Sequence, residues 1–520
     1  MTEHYLDRLA RTITENWNSP ALTDFYLTED GSAQDTSRGN HYTYGEMYAE
    51  ILRLGELFAA LGLQKGDHIA ICGANSAHWA IAYLAIAAYQ GVAVTILHSQ
   101  SPEDIAHQID FSDANALFTD ADLWKELKDQ SLPQVEHVIS LEDWQILRGE
   151  EPKTENRKSK IANREACFTH GNPDELAMIC FTSGTTGVSK GVMLSTKNIS
   201  TNLLFLVKEF TECPLRNSIS VLPMAHAGVF VSDIIHLLCR GAKIHIISSF
   251  SSEQLLRMYA IVKPQEVVMV PMMLRKLIDS LEMTDNKVLH QCLNRIFGGE
   301  FELFCLGGAK IPIEIEQTLQ AASTKYAIGY GTTECAPFIS LEMPSYIKIG
   351  TVGKIAPTLD CRIAPNGEIL VKGGNVMLGY YKDPEATSRK IDKDGWLHTG
   401  DKGHLDEDGY LYVEGRLDQD MIVLPNGENI HPEDIERKIN ALPEVRESIV
   451  LARDGHLIAI IVPSLIENRE SKIERDALRR HVLRTINPEL PLYSQLYDVE
   501  ITDVPLQKTE KQTIKRYLYK

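Results

Sequence analysis

The chain has 520 residues, of which 44% are hydrophobic, 24% charged and 7% aromatic, and its formal charge is −19. This hydrophobic content excludes a disordered, collagenous or disulfide-scaffold protein, and the length predicts about three domains or subdomains. The negative charge argues against a dedicated nucleic-acid binder, which would carry a basic stripe, and against broad docking on an anionic membrane.

The nine cysteines are scattered and form no C-x-x-C pair. This spacing argues against a zinc site or a disulfide framework and favours reduced thiols in a cytoplasmic enzyme. The first residues carry charge throughout and contain no apolar run, so we expect no secretory signal.

One segment could imitate a membrane span, because Trp79 to Leu97 is 19 residues without a charge. Gln90 and Gly91 interrupt it, however, and its first part favours helix while its last part favours strand. We therefore expect a buried helix, a turn and a buried parallel strand, and no transmembrane segment.

Short apolar strand candidates alternate with helical patterns along the first 350 residues. Helical patterns such as 48–61 and 252–262 lie between some of the strand candidates, which fall at 68–73, 92–97, 176–183, 218–224, 243–248 and 266–271. This alternation predicts a layered α/β fold with mostly parallel sheets.

The pattern changes after about Gly350. Short β runs separated by Asn-Gly, Gly-Gly and Asp-Gly turns predict a small antiparallel, barrel-like β subdomain over about 350–416. The final block contains strands, two helical patterns and a basic tail, which predict a small α+β domain. We therefore predict a large N-terminal domain over 1–416 and a small C-terminal domain over 417–520.

The most informative segment is FTSGTTGVSKGVMLS at 181–195, which follows an apolar strand. Its glycines let the backbone approach an anion, its hydroxyls can donate to phosphate oxygens, and Lys190 supplies a positive charge. The Walker pattern does not fit, because residue 189 is serine where that pattern needs glycine. A flexible loop is the ordinary alternative, but this composition directly after a buried strand favours a phosphate-binding loop.

This segment resembles the phosphate loop of the adenylate-forming superfamily, which includes acyl-CoA synthetases, aryl-CoA ligases, luciferases and nonribosomal adenylation domains. Six further motifs resemble that superfamily in the same order: YGEM (44–47), LPMAHAG (222–228), GYGTTE (329–334), GWLHTGD (395–401), GRLDQD (415–420) and GENIHPEDIE (427–436). The chain is most similar to a bacterial-type fatty acyl-CoA ligase. The resemblance implies that the small domain is mobile, with a hinge near Asp418.

The resemblance also implies roles for individual residues. The nucleotide site would contain Thr182, Ser183, Gly184, Thr185, Thr186, Gly187, Gly308, Ala309, Gly329, Tyr330, Gly331, Thr332, Thr333, Asp401 and Arg416. In this site Tyr330 would contact adenine and Asp401 the ribose hydroxyls. Catalytic roles would fall to Lys190, to Glu334 as the Mg²⁺ ligand, and to His226 as the gate beside the carboxylate site.

The end of the chain departs from the family. An ungapped alignment puts Thr513 where the family has its C-terminal catalytic lysine. In an extended chain, Lys511 and Lys515 would point to the same side as residue 513. We favour Lys511 as the catalytic cation, and a solvated basic tail is the alternative.

The implied reaction has two steps. The substrate carboxylate attacks the α-phosphate of ATP in the presence of Mg²⁺, giving an acyl-adenylate and pyrophosphate, and the thiol of CoA then displaces AMP. Amino-acid-activating members carry an aspartate soon after the gate motif; Gly228 holds that position here, which disfavours an amino acid, although Asp233 is nearby.

The apolar segment 229–239 suits an aliphatic chain, so we predict a medium- or long-chain fatty acid as substrate and a place in fatty acid metabolism. An aryl acid and a carrier-protein phosphopantetheine acceptor remain open alternatives. A nucleotide-binding protein that has lost its chemistry is a further open alternative, because Thr513 stands at the position of the family's catalytic lysine.

Overall fold

The computed structural model describes most of the chain in two compact units. The large unit comprises Met1–Thr182, Ser189–Thr399 and Gly403–Val413, and the small unit comprises Ser183–Val188, Gly400–Lys402 and Glu414–Lys520. The residues described are 3–25, 40–150, 164–169, 171–182, 190–211, 213, 215–281, 288–417, 422–423, 429–430, 432–453, 456–464, 472–490, 494–508 and 514–519.

The strands are short and are distributed along the whole chain. They are β1 (Pro20–Asp24), β2 (His41–Thr43), β3 (His68–Cys72), β4 (Val92–Thr95), β5 (Ala116–Thr119), β6 (His137–Ser140), β7 (Ile146–Arg148), β8 (Leu176–Thr182), β9 (Lys190–Ser195), β10 (Asn217–Ser220), β11 (Lys243–Ile246), β12 (Glu266–Met269), β13 (Leu303–Gly307), β14 (Tyr326–Gly331), β15 (Phe338–Glu342), β16 (Lys354–Ile355), β17 (Leu359–Ile363), β18 (Glu368–Gly373), β19 (Gly379–Tyr380), β20 (Leu397–Leu405), β21 (Leu411–Arg416), β22 (Ile422–Val423), β23 (Asn429–Ile430), β24 (Val445–Arg453), β25 (His456–Pro463) and β26 (Leu496–Ile501).

Helices alternate with these strands. They are α1 (Tyr5–Glu15), α2 (Tyr44–Ala60), α3 (Ala77–Ala88), α4 (Pro102–Phe111), α5 (Ala121–Leu127), α6 (Thr196–Glu209), α7 (Ala227–Val229), α8 (His236–Cys239), α9 (Ser252–Val262), α10 (Pro271–Ser280), α11 (Leu289–Ile296), α12 (Ile313–Ala321), α13 (Pro384–Lys390), α14 (Pro432–Asn440) and α15 (Lys472–Ile486). A π-helical turn, Phe230–Ile235, joins α7 to α8, and short 3₁₀ turns occupy Thr333–Cys335, Asn487–Glu489 and Arg516–Leu518.

Two large sheets form the large unit. One has eight strands in the order β19-β9-β8-β4-β3-β5-β6-β7, and the other has nine in the order β16-β15-β14-β13-β12-β10-β11-β1-β2. The central pairs of both are parallel, while the edges are antiparallel. This arrangement confirms the predicted α/β class with mostly parallel sheets.

The apolar segment from Trp79 to Leu97 folds as predicted. It contains α3, which is buried along most of its length, and the buried parallel strand β4. One apolar core holds residues of both large sheets together with α3, and Trp79 and Tyr83 of that helix pack on Phe230. Among the described residues, no helix combines the length and the apolar character needed to cross a membrane.

After residue 350 the chain forms a four-stranded sheet in the order β17-β18-β20-β21. The small unit contains a three-stranded sheet, β24-β25-β26, with α14 and α15. Its core follows helical periodicity, since Ile435 and Ile439 of α14 and Leu478 and Val482 of α15 are buried together with strand residues. The predicted boundary between residues 416 and 417 and the hinge at Asp418 stay predictions, because Asp418 lies outside the described residues.

Candidate active site

The predicted phosphate loop connects two paired strands. The last residue of β8, Thr182, pairs with the first residue of β9, Lys190, in an antiparallel ladder. The five loop residues of the predicted nucleotide site, Ser183, Gly184, Thr185, Thr186 and Gly187, lie outside the described part of the chain. Their roles stay predictions, while the strand ends on both sides are placed next to each other.

Glu334 is a buried carboxylate with two hydroxyl donors. The Tyr380 hydroxyl donates to its Oε1 at 2.8 Å, the Thr332 hydroxyl donates to its Oε2, and only 9% of the residue is exposed. Burial by itself would raise the pKa of Glu334, but the positive charge of Lys390 and the two hydroxyl bonds outweigh it and hold that pKa below its usual range. Glu334 is therefore ionised at neutral pH.

Tyr380 links this carboxylate to the predicted phosphate-loop lysine. The Lys190 Nζ lies 5.1 Å from the centre of the Tyr380 ring, a cation–π contact, while the hydroxyl of the same ring reaches Glu334. The strand β19 positions the ring, because Tyr380 pairs with Val192 of β9. Lys190, Tyr380, Glu334 and Lys390 thus form one continuous charge network, which we call the Glu334 network.

The GYGTTE motif begins in β14 and ends in the 3₁₀ turn at Thr333–Cys335. A β-carbon at Gly331 would overlap the carbonyl oxygen of Pro337, and one at Gly329 would overlap the Phe338 ring, so both positions require glycine. Tyr330 is partly exposed between them. On the neighbouring strand, Gly308 adopts a φ of +79° directly after β13.

Two asparagines of α6 fix the backbone around this motif. The Asn202 side-chain amide donates to the carbonyls of Cys335 and Phe338, both at 3.0 Å. The Asn198 amide donates to Gly374 at 2.8 Å and to Val376 at 2.7 Å, close in sequence to Tyr380. The α6 helix therefore positions both chain segments that meet at Glu334.

Sequence reasoning did not find Tyr380, Lys390, Asn198 or Asn202. The asparagines are polar residues at fully or nearly fully buried positions of a helix, with exposures of 5% and 0%. An asparagine among the apolar residues of a predicted helix is the sequence signal that could have marked Asn198 and Asn202. Lys390 carries no such signal, because in the sequence it looks like an ordinary surface lysine. In the structure its ammonium group also donates to the Thr399 carbonyl at 3.0 Å.

The gate motif lies beside the same turn. His226 precedes α7, and a β-carbon at Gly228 would lie 3.5 Å from the Pro337 ring. The segment is held from the other large sheet, because the Thr95 hydroxyl donates to the Ala225 carbonyl at 2.9 Å. His226 therefore lies on the side of the GYGTTE motif, and its role as the gate beside the carboxylate site stays a prediction.

The predicted ribose ligands come together within the small unit. The Arg416 guanidinium donates to the Asp401 carboxylate at 3.0 Å, and Asp401 is 7% exposed. The bond from the Leu417 amide to the Gly400 carbonyl, at 2.7 Å, holds the two segments side by side. Their contact with a nucleotide stays a prediction.

The tail that carries the proposed catalytic lysine is described only in part. Lys511 and Thr513 lie outside the described residues. Lys508 and Ile514, on the two sides of these residues, form an antiparallel bridge. Lys508 forms an ion pair with Glu447, and Arg516 forms one with Glu436.

The role of Glu334 as a magnesium ligand stays a prediction. Within the described ranges, no group of three or more His, Cys, Asp or Glu residues is arranged to hold a metal ion. Glu334 fits the requirement of Mg²⁺ for a hard, ionised oxygen ligand, because each of its oxygens accepts one hydroxyl and keeps further acceptor capacity.

The chain is similar to known CoA ligases along most of its length. It is 28% identical over 488 residues to "Long-chain-fatty-acid--CoA ligase 1" of Homo sapiens, which covers 80% of this chain and 69% of that protein. It is 26% identical over 483 residues to "4-coumarate--CoA ligase 1" of Arabidopsis thaliana, and that match covers 86% of this chain and 82% of that protein. These relatives agree with the predicted reaction class.

Solved structures share the fold. The o-succinylbenzoate CoA synthetase of Bacillus subtilis in complex with its acyl-adenylate superimposes with a TM-score of 0.77, at 22% identity, over 99% of this chain and 97% of the other. ATP-bound MatB from Rhodopseudomonas palustris superimposes with a TM-score of 0.77, at 24% identity, over 98% of this chain and 97% of the other. These likenesses confirm the predicted fold class.

The family comparison confirms the resemblance. The AMP-binding enzyme family matches residues 10–381, and the AMP-binding enzyme C-terminal domain matches residues 419–519. The first match includes the strands that flank the phosphate loop and every member of the Glu334 network except Lys390. The chain therefore belongs to the AMP-binding enzyme family.

Proposed function

We propose that the protein is an AMP-forming acid–thiol ligase, which activates a carboxylic acid with ATP and transfers the acyl group to CoA. The observation that carries this proposal is the Glu334 network, in which an ionised carboxylate lies one tyrosine ring away from the phosphate-loop lysine. Acid activation needs this combination of charges, because pyrophosphate must be neutralised both directly and through a metal ion.

In the first step, an oxygen of the substrate carboxylate forms a bond to the α-phosphorus of ATP, and the bond from that phosphorus to pyrophosphate breaks. The substrate supplies its own nucleophile, so the protein contributes position and charge. Glu334 would hold Mg²⁺ on the phosphates, where the ion supplies charge neutralisation. Lys190 would meet the phosphate oxygens, and Asp401 with Arg416 would bind the ribose.

In the second step, the sulfur of CoA attacks the acyl carbonyl carbon, its proton is lost, and AMP leaves through its phosphate oxygen. The small unit would reorient about Asp418 between the two steps, so that the segment from Gly427 to Ile430 faces the thiol. The match of residues 419–519 to the family's C-terminal domain supports this role. Lys511 is the proposed cation at the α-phosphate in the first step.

An aliphatic acid is the proposed substrate class. The segment from α7 to α8 that follows the gate motif is apolar, and the similarity to a long-chain fatty acid ligase supports the assignment. An aryl acid is the second candidate, because a 4-coumarate ligase is similar over a larger share of the chain. None of the nine cysteines, all of which the structure describes, forms a disulfide, which supports a reducing compartment such as the cytoplasm.

Pyrophosphate exchange tests the proposal. The purified chain, given ATP, Mg²⁺ and a panel of aliphatic and aryl acids, is expected to incorporate labelled pyrophosphate into ATP only when an acid is present. Thioester formation with CoA should require the same acid. Tight ATP binding without exchange for any acid would favour the alternative, a nucleotide-binding protein without chemistry.

A further inference from the structure

Two side chains of opposite charge in the Glu334 network contact different parts of the same tyrosine. The Lys190 Nζ lies over the face of the Tyr380 ring, 5.1 Å from its centre, and the Tyr380 hydroxyl donates to Oε1 of Glu334 at 2.8 Å. The other carboxylate oxygen accepts from the Thr332 hydroxyl. Within the described part of the chain, Glu334 accepts from these two hydroxyls and forms no ion pair with Lys190.

This separation is unusual for charges in a buried site. A carboxylate taken out of water normally pairs with a nearby cation, because the attraction between the two offsets part of the cost of desolvation. A direct bond between Lys190 and Glu334, which is 9% exposed, would use the N–H groups and carboxylate oxygens that the proposed function assigns to phosphate and to Mg²⁺. The tyrosine that both groups contact leaves them available for those ligands.

The backbone around Tyr380 is fixed by β9 and does not depend on these charges. The Leu378 amide donates to the Met193 carbonyl at 2.9 Å, and the Tyr381 amide donates to the Gly191 carbonyl at 2.8 Å. These two bonds lie on either side of Tyr380 in the antiparallel pairing of β19 with β9. Tyr380 itself is 6% exposed and belongs to the apolar core of the large unit. The strand pairing therefore sets where the ring lies.

The helix α13 supplies a second anchor. The Tyr380 amide donates to the Thr387 hydroxyl at 2.8 Å. Gly379 has a φ of +143°, and a β-carbon at this position would lie 2.7 Å from the methyl carbon of Thr387, so glycine permits this contact. The ring is thus held by the backbone from two sides, and it can in turn hold the ends of two longer side chains.

We propose that Tyr380 is a positioning residue for the first half-reaction, which keeps Lys190 and Glu334 apart so that one binds phosphate and the other binds the metal ion. The hydroxyl orients the carboxylate and leaves its remaining lone pairs to the ion. The ring face attracts the ammonium group without using its N–H groups in an ion pair. This inference rests on the proposed function, since that function assigns Mg²⁺ to Glu334 and phosphate to Lys190.

Two variants separate the two contacts of this residue. Tyr380→Phe keeps the ring under Lys190 and removes only the hydroxyl that orients Glu334. Tyr380→Leu removes the ring as well, which allows Lys190 and Glu334 to approach each other and pair. The first variant should therefore impair the metal side of the site alone, and the second should impair both sides.

Isothermal titration calorimetry of the whole chain measures each side. Pyrophosphate binding in the presence of EDTA reports on Lys190, and the ratio of the ATP affinities with and without Mg²⁺ reports on Glu334. In Tyr380→Phe we expect this ratio to fall by about 10–100-fold, as for other hydrogen-bond partners of metal ligands, while the affinity for metal-free pyrophosphate stays unchanged. In Tyr380→Leu the pyrophosphate affinity should also fall, by about tenfold or more.

The next residue in the chain provides the matched control. The Tyr381 hydroxyl donates to Asp113 at 2.7 Å and not to Glu334. Tyr381→Phe removes the same atom from an adjacent tyrosine and should leave both affinities unchanged. If Tyr380→Leu does not fold, the comparison of Tyr380→Phe with Tyr381→Phe still tests the proposal.

An unchanged magnesium ratio in Tyr380→Phe, or an equal loss of metal-free pyrophosphate binding in that variant, would overturn the proposal and assign Tyr380 a purely structural role. Both measurements are made without an acid. Absence of acid-dependent exchange in the wild type would therefore contradict the proposed function and not the positioning role. A wild type whose ATP affinity does not depend on magnesium would contradict the assignment of the metal to Glu334.

Discussion

Replacing Tyr380 by phenylalanine removes one hydroxyl from the Glu334 network and leaves the aromatic ring under Lys190. The hydroxyl donates at 2.8 Å to a carboxylate that is 9% exposed and ionised. A hydrogen bond to a charged group contributes about 1.5–3 kcal/mol, so we expect the free energy of unfolding of the large unit to fall by about 2 kcal/mol at pH 7. Urea unfolding followed by tyrosine and tryptophan fluorescence measures this change.

The neighbouring residue provides a matched control. The Tyr381 hydroxyl donates to Asp113 at 2.7 Å, but that carboxylate is partly exposed, so Tyr381→Phe should lower the free energy of unfolding by less than about 1 kcal/mol.

The pH dependence of the free energy of unfolding tests the same assignment. Because the folded state lowers the pKa of Glu334 from 4.5, its stabilisation is present above that pH and is lost as the pH falls through the lowered value. The difference in the free energy of unfolding between the wild type and Tyr380→Phe should therefore become smaller in acid. Equal losses for the two tyrosines, or a gap that is the same in acid, would refute the assignment.

Three further predictions concern other parts of the chain. Gly331→Ala should lower the stability by about 1–3 kcal/mol, because its β-carbon would overlap the Pro337 carbonyl; an unchanged thermal midpoint would contradict this. Asp418→Pro fixes φ near −65° and should slow one half-reaction more than the other in separate exchange and thioester assays; equal slowing would argue against a hinge. Lys511→Ala should slow formation of the acyl-adenylate but not thioester formation from supplied acyl-adenylate, and a first step as fast as in the wild type would assign the cation elsewhere.

Much of the fold could be predicted because its elements are locally encoded. The helix α9 spans Ser252–Val262, the range that its apolar periodicity indicates, and Ser251 caps it as a serine before an apolar repeat should. The segment from Trp79 to Leu97 divides into helix and strand where its composition changes from alanine-rich to β-branched. In both cases the information lies within a few residues of the element.

The site could be predicted only in part, because its members interact across the fold. Glu334 and Lys190 were found through motifs, but Tyr380 contacts both only because β19 pairs with β9, far away in sequence. Asp233 lies near the amino-acid position of related enzymes in the sequence, but its burial depends on the π-helical turn Phe230–Ile235, which no local pattern predicts.

The most direct test of the account is acid-dependent pyrophosphate exchange in Glu334→Gln, measured over a magnesium titration beside the wild type. Glutamine keeps the size of the side chain and removes the charge that Lys390, Thr332 and Tyr380 stabilise. We expect exchange in the wild type that requires both an acid and magnesium, and a rate lower by about 10²–10³ in the variant at saturating magnesium. Equal rates in the two proteins would contradict the role of Glu334 in activating the acid.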